Sequence, residues 1–363
     1  MKRFVVSRAA LEENARKIRQ AAAPAEVWAV VKGNGYGLGI GNMARVLHDA
    51  GIRRFAVTEP AEAAALREAG FEEERILMLR ATSDRSELET LIRLGAVCTI
   101  GSSEDALALD ETAQAMGSVA EAHIKLDTGM GRYGFLPTEL DKVIAIHRQL
   151  KNVAITGTYT HFSCAFCSEK RTRAQYQAFQ DMVKALREAG CPVGELHCAN
   201  SAALELYPEM KCDSVRIGSA FLGRLSVPDR LELERIGVCE ATVEELRRIP
   251  KLWSVGYGAG FITRRNTTIA VLGVGYYHGF SAEMGRDLFR FSDCLRGILS
   301  WVKAFVSHKR LYATIGHRRC PVLGHVGMLH TVLDVTGLEV KVGDTARLDL
   351  NPLLMKGLDV ELR

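Results

Sequence analysis

The sequence predicts an α/β protein: a (β/α)8 barrel of the TIM type followed by a mainly β domain. Between residues 27 and 223, eight short apolar segments alternate with amphipathic stretches, whereas few helical patterns interrupt the strand-like segments beyond residue 236. Eight such units in about 200 residues favour a closed barrel over an open doubly wound sheet. We therefore predict a barrel over residues 8–234. Residues 235–363, together with a strand from residues 1–7, are predicted to form the β-rich domain.

The N-terminal segment predicts a strand and then a helix. Apolar and polar residues partly alternate over Lys2–Val6, and Ser7 stands where a helix N-cap is expected, just before the apolar periodicity of residues 11–18. This segment lacks the continuous apolar stretch of a signal peptide, so we expect a cytoplasmic protein.

The barrel strands are predicted from runs of nearly continuous apolar character, which suit strands buried on both faces of a parallel sheet. The runs cover residues 27–32, 54–59, 76–80, 97–101, 121–129, 155–162, 195–201 and 214–223. Amphipathic stretches lie between them, for example at 61–70, 86–95 and 174–190. In the second domain, strand-like segments occupy 267–277, 309–316, 319–335 and 344–350, and residues 295–307 predict one amphipathic helix.

Composition excludes several classes of function. The net charge of +4 is spread along the chain, so nothing indicates a nucleic-acid partner. No uninterrupted apolar stretch suits a membrane span. Nine cysteines without a repeating spacing fit reduced thiols better than a disulfide framework. Cys164 and Cys167 form a CxxC just after His161, but no second ligand pair follows, so we expect no metal.

Reactive residue types collect where the predicted strands end. Because active-site residues of such barrels lie at the carboxyl ends of the strands, these side chains are expected to share one face of the barrel. Strand one ends in a lysine followed by a glycine-rich segment, and arginine, histidine, asparagine and serine end later strands. The residues are Lys32, Arg132, His161, Asn200, Ser201, Arg216, Gly218 and Ser219.

Chemically, this set suits pyridoxal 5'-phosphate. Burial at the end of a strand favours the neutral form of the Lys32 amine, which can then react with an aldehyde. The Ser201 hydroxyl and the backbone amides of Gly218 and Ser219 can bind a phosphate, with Tyr36 as a further donor. The glycines after Lys32 lack the dinucleotide-binding spacing, which argues against NAD.

Seven ordered segments resemble the signatures of the alanine racemase family, the fold type III racemases that depend on pyridoxal phosphate. The resemblance covers nearly the whole chain. The segments are AVVKGNGYGLG (29–39), KLDTGMGRYGF (125–135), GTYTHF (157–162), LHCANSAAL (196–204), SVRIGSAFLG (214–223), VGYYHGF (274–280) and PVLGHVGM with DVTG (321–337).

The resemblance implies a cytoplasmic homodimer that interconverts L- and D-alanine with two acid–base groups. Lys32 matches the cofactor lysine and one base, while Tyr276 of the partner subunit matches the opposing base. Two bases on opposite faces of the α-carbon are what racemisation requires. A phenol releases its proton reluctantly, and the resemblance gives His161 a supporting position between that tyrosine and the cofactor.

Other matches concern the cofactor and the substrate carboxylate. Arg216 matches the arginine facing the pyridine nitrogen, which stays unprotonated because arginine does not give up its proton. Arg132 matches the residue that contacts the cofactor phenolic oxygen and the substrate carboxylate. Lys125 matches a lysine that is carbamylated in some relatives, and the backbone of Met328 matches a substrate contact.

Some positions depart from the family pattern. The usual GYADG is GYYHG here, with Tyr277 and His278 in the altered positions, and Leu329 replaces an aspartate at the substrate entrance. Residues 281–307 occupy what is normally a short connection, and the C-terminal segment lacks a tyrosine that usually helps to hold the phosphate. The inserted helix either extends the dimer interface, which we favour, or remodels substrate specificity.

Alternative functions remain open from sequence alone. They are a serine or broader-specificity racemase, a barrel decarboxylase for basic amino acids, a pyridoxal-phosphate-binding protein without catalysis, and an inactive racemase homologue. Arg216 argues against the decarboxylase, in which a carboxylate is expected at that position. Tyr276 within a substantial β-rich domain argues against the simple binder.

Overall fold

The computed structural model describes residues 1–282, 291–306 and 311–363, and its contacts divide the chain into two units. One unit is Arg8–Ile236, and the other combines Met1–Ser7, which contains β1 (Lys2–Val6), with Gly237–Arg363. The sequence prediction places the boundary between residues 234 and 235, against 236 and 237 in the structure.

The larger unit is built around eight parallel strands. They are β2 (Glu26–Val30), β3 (Arg54–Val57), β4 (Arg75–Met78), β5 (Cys98–Ile100), β6 (Ala120–Lys125), β7 (Val153–Tyr159), β8 (Glu195–His197) and β9 (Ser214–Ile217). They pair in the order β4-β3-β2-β9-β8-β7-β6-β5. A parallel bridge between Leu77 and Val97 joins β4 to β5, so the sheet closes. The predicted (β/α)8 barrel is confirmed.

Helices follow the strands because each apolar strand is succeeded by an amphipathic segment with a polar start. They are α1 (Arg8–Ala22), the short turn α2 (Lys32–Tyr36), α3 (Ile40–Asp49), α4 (Pro60–Glu68), α5 (Arg85–Arg93), α6 (Ser103–Ala115), α7 (Leu140–Gln149), α8 (Glu169–Glu188) and α9 (Ser201–Leu206). Asp84, Ser102 and Ser168 accept backbone N–H groups at the starts of α5, α6 and α8. These caps satisfy donors that the helices cannot pair internally.

The barrel interior combines apolar packing with an unusual set of polar side chains. Trp28 is fully buried and packs with Val30, Ala56, Leu77 and Val97. Inside the same barrel, the buried polar side chains include His123, Lys125, His197 and Arg216. Ionisable groups are seldom buried unless they are paired, so this polar set marks a functional region.

The smaller unit is mainly β, as predicted. Its strands after β1 are β10 (Gly237–Ile249), β11 (Ser254–Val255), β12 (Phe261–Ile262), β13 (Thr267–Leu272), β14 (Tyr312–Ile315), β15 (Arg318–Pro321), β16 (Thr331–Asp334), β17 (Thr345–Leu348) and β18 (Asp359–Leu362). The long strand β10 pairs with β1 and β17 through its first half and with β13 through its second half. A register shift between Val243 and Glu245 separates the two halves, consistent with a bulge that bends the strand.

Among the described residues of this unit there is one α-helix, α10 (Phe291–Val306). It confirms the helix predicted over 295–307 as far as residue 306, while residue 307 and residues 283–290 of the predicted insertion lie outside the described residues. Its apolar side chains are exposed, among them Phe291, Ile298, Trp301 and Phe305. In the part of the chain that the structure describes, no helix is both long and apolar enough to cross a membrane.

Candidate active site

A cavity of about 450 Å3 lies where the barrel strands end. All ten residues of the barrel that the sequence singled out for the site line it: Lys32, Tyr36, Lys125, Arg132, His161, Asn200, Ser201, Arg216, Gly218 and Ser219. The lining includes five Lys or Arg side chains, and among the described residues that line it none is Asp or Glu. Such a cavity suits an anionic ligand of small-molecule size.

Lys32 follows the end of β2 in a left-handed turn. The strand ends at Val30 rather than at Lys32, as the sequence had suggested. Gly33, Asn34 and Gly35 have φ of 63°, 53° and 64°, and Tyr36 continues the turn with φ of 55°. Residues with a Cβ rarely adopt this left-handed backbone conformation, so glycine is the favoured residue at positions 33 and 35.

Glu62 holds this turn in place. One of its carboxylate oxygens accepts the N–H of Gly33 at 2.5 Å, and the other accepts the N–H of Thr58 at 2.9 Å. The segments that follow β2 and β3, at Gly33 and Thr58, therefore hydrogen-bond to the same carboxylate. Such charge-assisted bonds are about twice as strong as neutral ones.

The surroundings of Lys32 favour its neutral amine. Burial lowers the pKa of the Lys32 ammonium first, the positive charge of Arg132 lowers it further, and Glu62 opposes both effects. A lysine whose pKa is lowered in a cavity is a candidate for covalent chemistry through its amine.

Tyr36 and Gly218 form a close-packed corner of the cavity. A Cβ added at Gly218 would lie 2.0 Å from the Tyr36 hydroxyl oxygen, so any other residue here would displace the Tyr36 side chain. Burial raises the pKa of Tyr36 to about 12, which keeps its hydroxyl protonated and able to donate. The backbone N–H of Gly218 donates to the Ser201 hydroxyl at 3.3 Å. Three donors are thus grouped together.

Arg216 is buried, and none of its hydrogen bonds within the described residues goes to a carboxylate. Its Nη1 donates to Nδ1 of His197 at 2.6 Å and to the His197 carbonyl at 2.9 Å, and its Nη2 donates to the Thr160 carbonyl at 2.5 Å. The guanidinium carbon also lies 4.9 Å from the centre of the Tyr159 ring. These contacts fix the guanidinium and leave its positive charge for the cavity.

The contacts of Arg216 also determine the state of two buried histidines. Since arginine only donates, Nδ1 of His197 accepts, and the His197 proton resides on Nε2. His197 Nε2 lies 2.9 Å from Nδ1 of His123 and donates a hydrogen bond to it. Burial is the main cause that lowers the pKa of both rings, that of His123 to about 3. Both imidazoles are therefore neutral and act as rigid supports.

A single carboxylate organises the loop that carries Arg132. The two oxygens of buried Asp127 accept the backbone N–H groups of four successive residues, 129 to 132, at 2.7–3.2 Å. Backbone amides converging on one carboxylate define the loop path, so the direction of the Arg132 side chain depends on Asp127.

We expect Asp127→Asn to destabilise the protein by about 1–3 kcal/mol and to impair ligand binding, because an amide lacks the charge and the second acceptor that these bonds use. Thermal unfolding measures the first effect, and ligand affinity measures the second. Asp110 is the matched control, since its carboxylate likewise accepts backbone N–H groups, of Lys151 and Asn152, but neither of these two residues lines the cavity as Arg132 does. Equal losses of affinity in Asp127→Asn and Asp110→Asn would contradict the positioning role.

Burial also lowers the pKa values of Lys125 and His161. Burial and the neighbouring charges of Arg132 and Arg216 lower the pKa of Lys125 to about 8. Burial, followed by the charge of Arg216, holds the pKa of His161 well below its usual value. His161 lies two residues beyond the observed end of β7 at Tyr159, a correction to the predicted strand end. Similarly, β8 ends at His197, before Asn200 and Ser201.

The remaining predicted residues, Tyr276 and Met328, lie in the smaller unit. A short turn, Tyr276–His278, is fastened to the neighbouring segment because Tyr276 N–H donates to the Gly327 carbonyl and Tyr277 N–H to the Met328 carbonyl, both at 3.0 Å. The buried ring of His278 accepts the Gly275 N–H at 3.1 Å. Tyr276 itself is 54% exposed.

With this geometry established, the comparison with known proteins is direct. The chain matches the family models described as alanine racemase, N-terminal domain, over residues 6–226, and alanine racemase, C-terminal domain, over residues 238–349. The chain belongs to the alanine racemase family. The matched relatives are named alanine racemase, so this is a family of isomerases, and the predicted enzyme class is confirmed.

Individual relatives of the alanine racemase family agree with this assignment. The chain is 31% identical over 343 residues to alanine racemase of Methanococcus maripaludis, covering 92% of this chain and 85% of that protein. It is 34% identical over 275 residues to that of Carboxydothermus hydrogenoformans, covering 74% of each. Among solved structures, biosynthetic alanine racemase from Pseudomonas aeruginosa has a TM-score of 0.80 at 26% identity, covering 100% of this chain and 99% of that one.

A further solved structure shares the fold at lower identity. Alanine racemase from Bartonella henselae, solved with covalently bound pyridoxal phosphate, has a TM-score of 0.82 at 24% identity, covering 100% of this chain and 99% of that one.

Sequence reasoning on this alanine racemase family member missed several supporting residues. Glu62 resembles an ordinary helix-capping residue, because it stands three residues after Glu59 at the start of α4, and its second role toward Gly33 has no local signal. His123 and His197 are hidden in apolar strands. Asp127 offered the clearest signal, an aspartate directly before a glycine-rich loop.

Proposed function

We propose that this protein is a pyridoxal-phosphate-dependent racemase of a small amino acid, with alanine as the first substrate to test. The observation that carries the proposal is one cavity in which a lysine of lowered pKa lies among cationic side chains and no described lining residue is acidic. Pyridoxal phosphate brings a phosphate, and an amino acid brings a carboxylate, which together match this charge.

The residues present fit the cofactor. The lowered pKa of Lys32 makes its amine available to an aldehyde, and the corner formed by Tyr36, Ser201 and Gly218 has hydroxyl and amide donors, with the Tyr36 hydroxyl close against Gly218. Arg216 is held firmly, so it would face a pyridine nitrogen with a group that gives up no proton. When bound, the cofactor delocalises the negative charge left on the substrate α-carbon after its proton is removed.

The chain's own residues would divide the remaining work. The Lys32 amine takes or returns the α-proton on one face, and the hydroxyl of Tyr276 of the partner subunit does so on the other. Arg132, on the loop that Asp127 holds, would bind the substrate carboxylate. His161 stays neutral beside these groups and would donate a hydrogen bond without adding charge.

The same site bears on two alternative functions. A decarboxylase for basic substrates fits poorly with a cavity that already holds Lys125, Arg132 and Arg216. A broader or serine-directed specificity draws on Leu329, which is 43% exposed where the family has an aspartate. We keep serine as the second substrate to test.

The deciding experiment is an enantiomer screen. The purified holoenzyme is incubated with each common L-amino acid, and the D-enantiomer and carbon dioxide are measured. We expect D-alanine or D-serine to form without carbon dioxide. Carbon dioxide release would support the decarboxylase, and bound cofactor with no turnover of any amino acid would support a binding protein.

For Lys125 we propose carbamylation. A carbamate forms when a neutral amine attacks carbon dioxide and releases a proton, and a pKa of about 8 makes the neutral amine abundant near that pH. The product is an anionic carbamate on the Lys125 side chain, which would orient the Arg132 guanidinium. Carbon-13 NMR of protein in labelled bicarbonate should show one carbamate resonance that Lys125→Ala removes and Lys142→Ala, at an exposed position, retains. A signal that survives Lys125→Ala would contradict the assignment.

We also propose a homodimer, in which each subunit supplies Tyr276 to its partner. The exposed apolar face of α10 favours an extended dimer interface, because large apolar patches in contact with water usually mark association sites.

Replacing both Ile298 and Phe305, 60% and 83% exposed, with Glu should weaken dimerisation measured by sedimentation. Ser300→Glu on the polar side of the helix is the control. An unchanged dimer with an altered substrate preference would instead favour the specificity role of the insertion.

A further inference from the structure

The CxxC segment is the one motif of the sequence that the proposed reaction does not use. It lies between β7 and α8, directly after His161, and its chain turns tightly: the N–H groups of Cys167 and Ser168 both donate to the Cys164 carbonyl at 2.9 Å. A turn of this kind brings residues i and i+3 within about 7 Å. Cα separations of about 4.4–6.8 Å are those that disulfides span.

Both thiols are accessible to a dissolved reagent, unlike the other close pair of cysteines. Cys167 is exposed and Cys164 is half-buried. The sulfurs of Cys198 and Cys212 lie 3.6 Å apart, but Cys198 is fully buried and its thiol donates to the Met210 carbonyl. Cys212 is half-buried like Cys164, so of these two pairs only the CxxC pair has both of its thiols accessible to a small oxidant.

The environment of Cys164 favours its reactive form. Hydrogen bonding from Ser163 is the largest cause that lowers the pKa of the Cys164 thiol, and Arg171 and Cys167 lower it further. The thiolate is the attacking species in thiol–disulfide exchange.

This turn is connected to the cavity on two sides. Phe166, between the two cysteines, lines the cavity, while Ala165 beside it is buried. On the other side, the Ser163 hydroxyl oxygen lies 3.0 Å from the Gly129 carbonyl oxygen, on the loop that carries Arg132. A change in the geometry of the turn therefore reaches both the cavity lining and the arginine loop.

We propose that Cys164 and Cys167 are a reversible oxidation site that exchanges with low-molecular-weight disulfides and adjusts the cavity entrance through Phe166. The Cys164 thiolate attacks one sulfur of the reagent and expels a thiolate, which leaves a mixed disulfide. The Cys167 thiolate then attacks the Cys164 sulfur and expels the second thiolate. The protein loses two thiol protons and two electrons, and the reagent gains them as two free thiols.

The first test follows the chemistry alone. The full-length holoenzyme is treated with glutathione disulfide, alkylated, digested and analysed by mass spectrometry. We expect an intramolecular disulfide within the peptide that contains residues 164–167, fully reversed by dithiothreitol and absent in Cys164→Ser and Cys167→Ser. Cys212→Ser, which disables the other pair, should still form it. Persistent glutathione on Cys164, or a disulfide confined to Cys198 and Cys212, would overturn the proposal.

The second test follows the cavity and separates this proposal from the proposed function. In the full-length protein freed of bound cofactor, the rate at which a small acylating reagent labels Lys32 reports access to the cavity whether or not the protein racemises an amino acid. We expect oxidation to lower that rate at least threefold and, for the substrate that the enantiomer screen identifies, to raise KM by a similar factor with kcat retained. The effect on KM rests on the proposed function, whereas the labelling does not.

Phe166→Ala identifies the route of the effect. In this variant the disulfide should form as before, but access to Lys32 should no longer respond to oxidation, because the side chain that moves is gone. Equal labelling rates in the oxidised and reduced protein without the Phe166 substitution would refute the coupling to the cavity. A retained response in Phe166→Ala would refute Phe166 as its carrier.

Discussion

Lys32→Ala should yield a colourless protein with racemase activity lowered by about 10^4-fold or more, the upper end of what a positioned acid–base group contributes. Two losses combine in this variant: the amine that would bind the aldehyde, and the base on one face of the α-carbon. Lys125 and Arg132 cannot replace it, because neither side chain extends from the left-handed turn beside Gly33.

Visible absorption and borohydride reduction followed by peptide mapping measure this outcome. Reduction should tag Lys32 in the unaltered protein and should give no specific lysine tag in Lys32→Ala. Lys184→Ala is a suitable control, because its side chain is 75% exposed on α8, outside the cavity. A tag on any other lysine of the unaltered protein would remove Lys32 from the mechanism.

Much of the fold was predictable because the strands of a closed barrel are buried on both faces. Each of the eight predicted runs overlaps one barrel strand, since continuous apolar character is what burial on both faces requires. Strand ends were less predictable. The observed strands stop before Lys32, His161 and Asn200, because the ends of hydrogen-bonded pairing depend on neighbouring strands rather than on local composition.

The site residues were likewise only partly predictable from sequence. Side chains at strand ends were predictable as a group, since the topology brings them to one face of the barrel. The residues that hold them were less predictable. Glu62 accepts the backbone N–H of Gly33, 29 positions away, and that contact exists only in the folded chain. Asp127 binds the loop that directly follows it, so it left a local signal. The tautomer of His197 likewise depends on Arg216, a partner 19 positions away in sequence.

Tyr276→Phe should slow racemisation in both directions by about 10^2–10^4-fold while the visible absorption of the bound cofactor persists. Removing one hydroxyl deletes the base on one face only and leaves the Lys32 side intact. In deuterated water, the variant should therefore still exchange the α-proton of one enantiomer without inverting it. Exchange of the other enantiomer should nearly stop.

Tyr277→Phe provides the matched control for this experiment. Tyr277 adjoins Tyr276 in the same turn, is similarly exposed at 45% against 54%, and is fastened by an equivalent backbone bond to Met328. A general disturbance of the turn would affect both variants alike, whereas a proton-transfer role belongs to one hydroxyl. Full turnover in Tyr276→Phe, or equal exchange of both enantiomers, would mean that both protons move through Lys32. A one-base mechanism would then replace the two-base one.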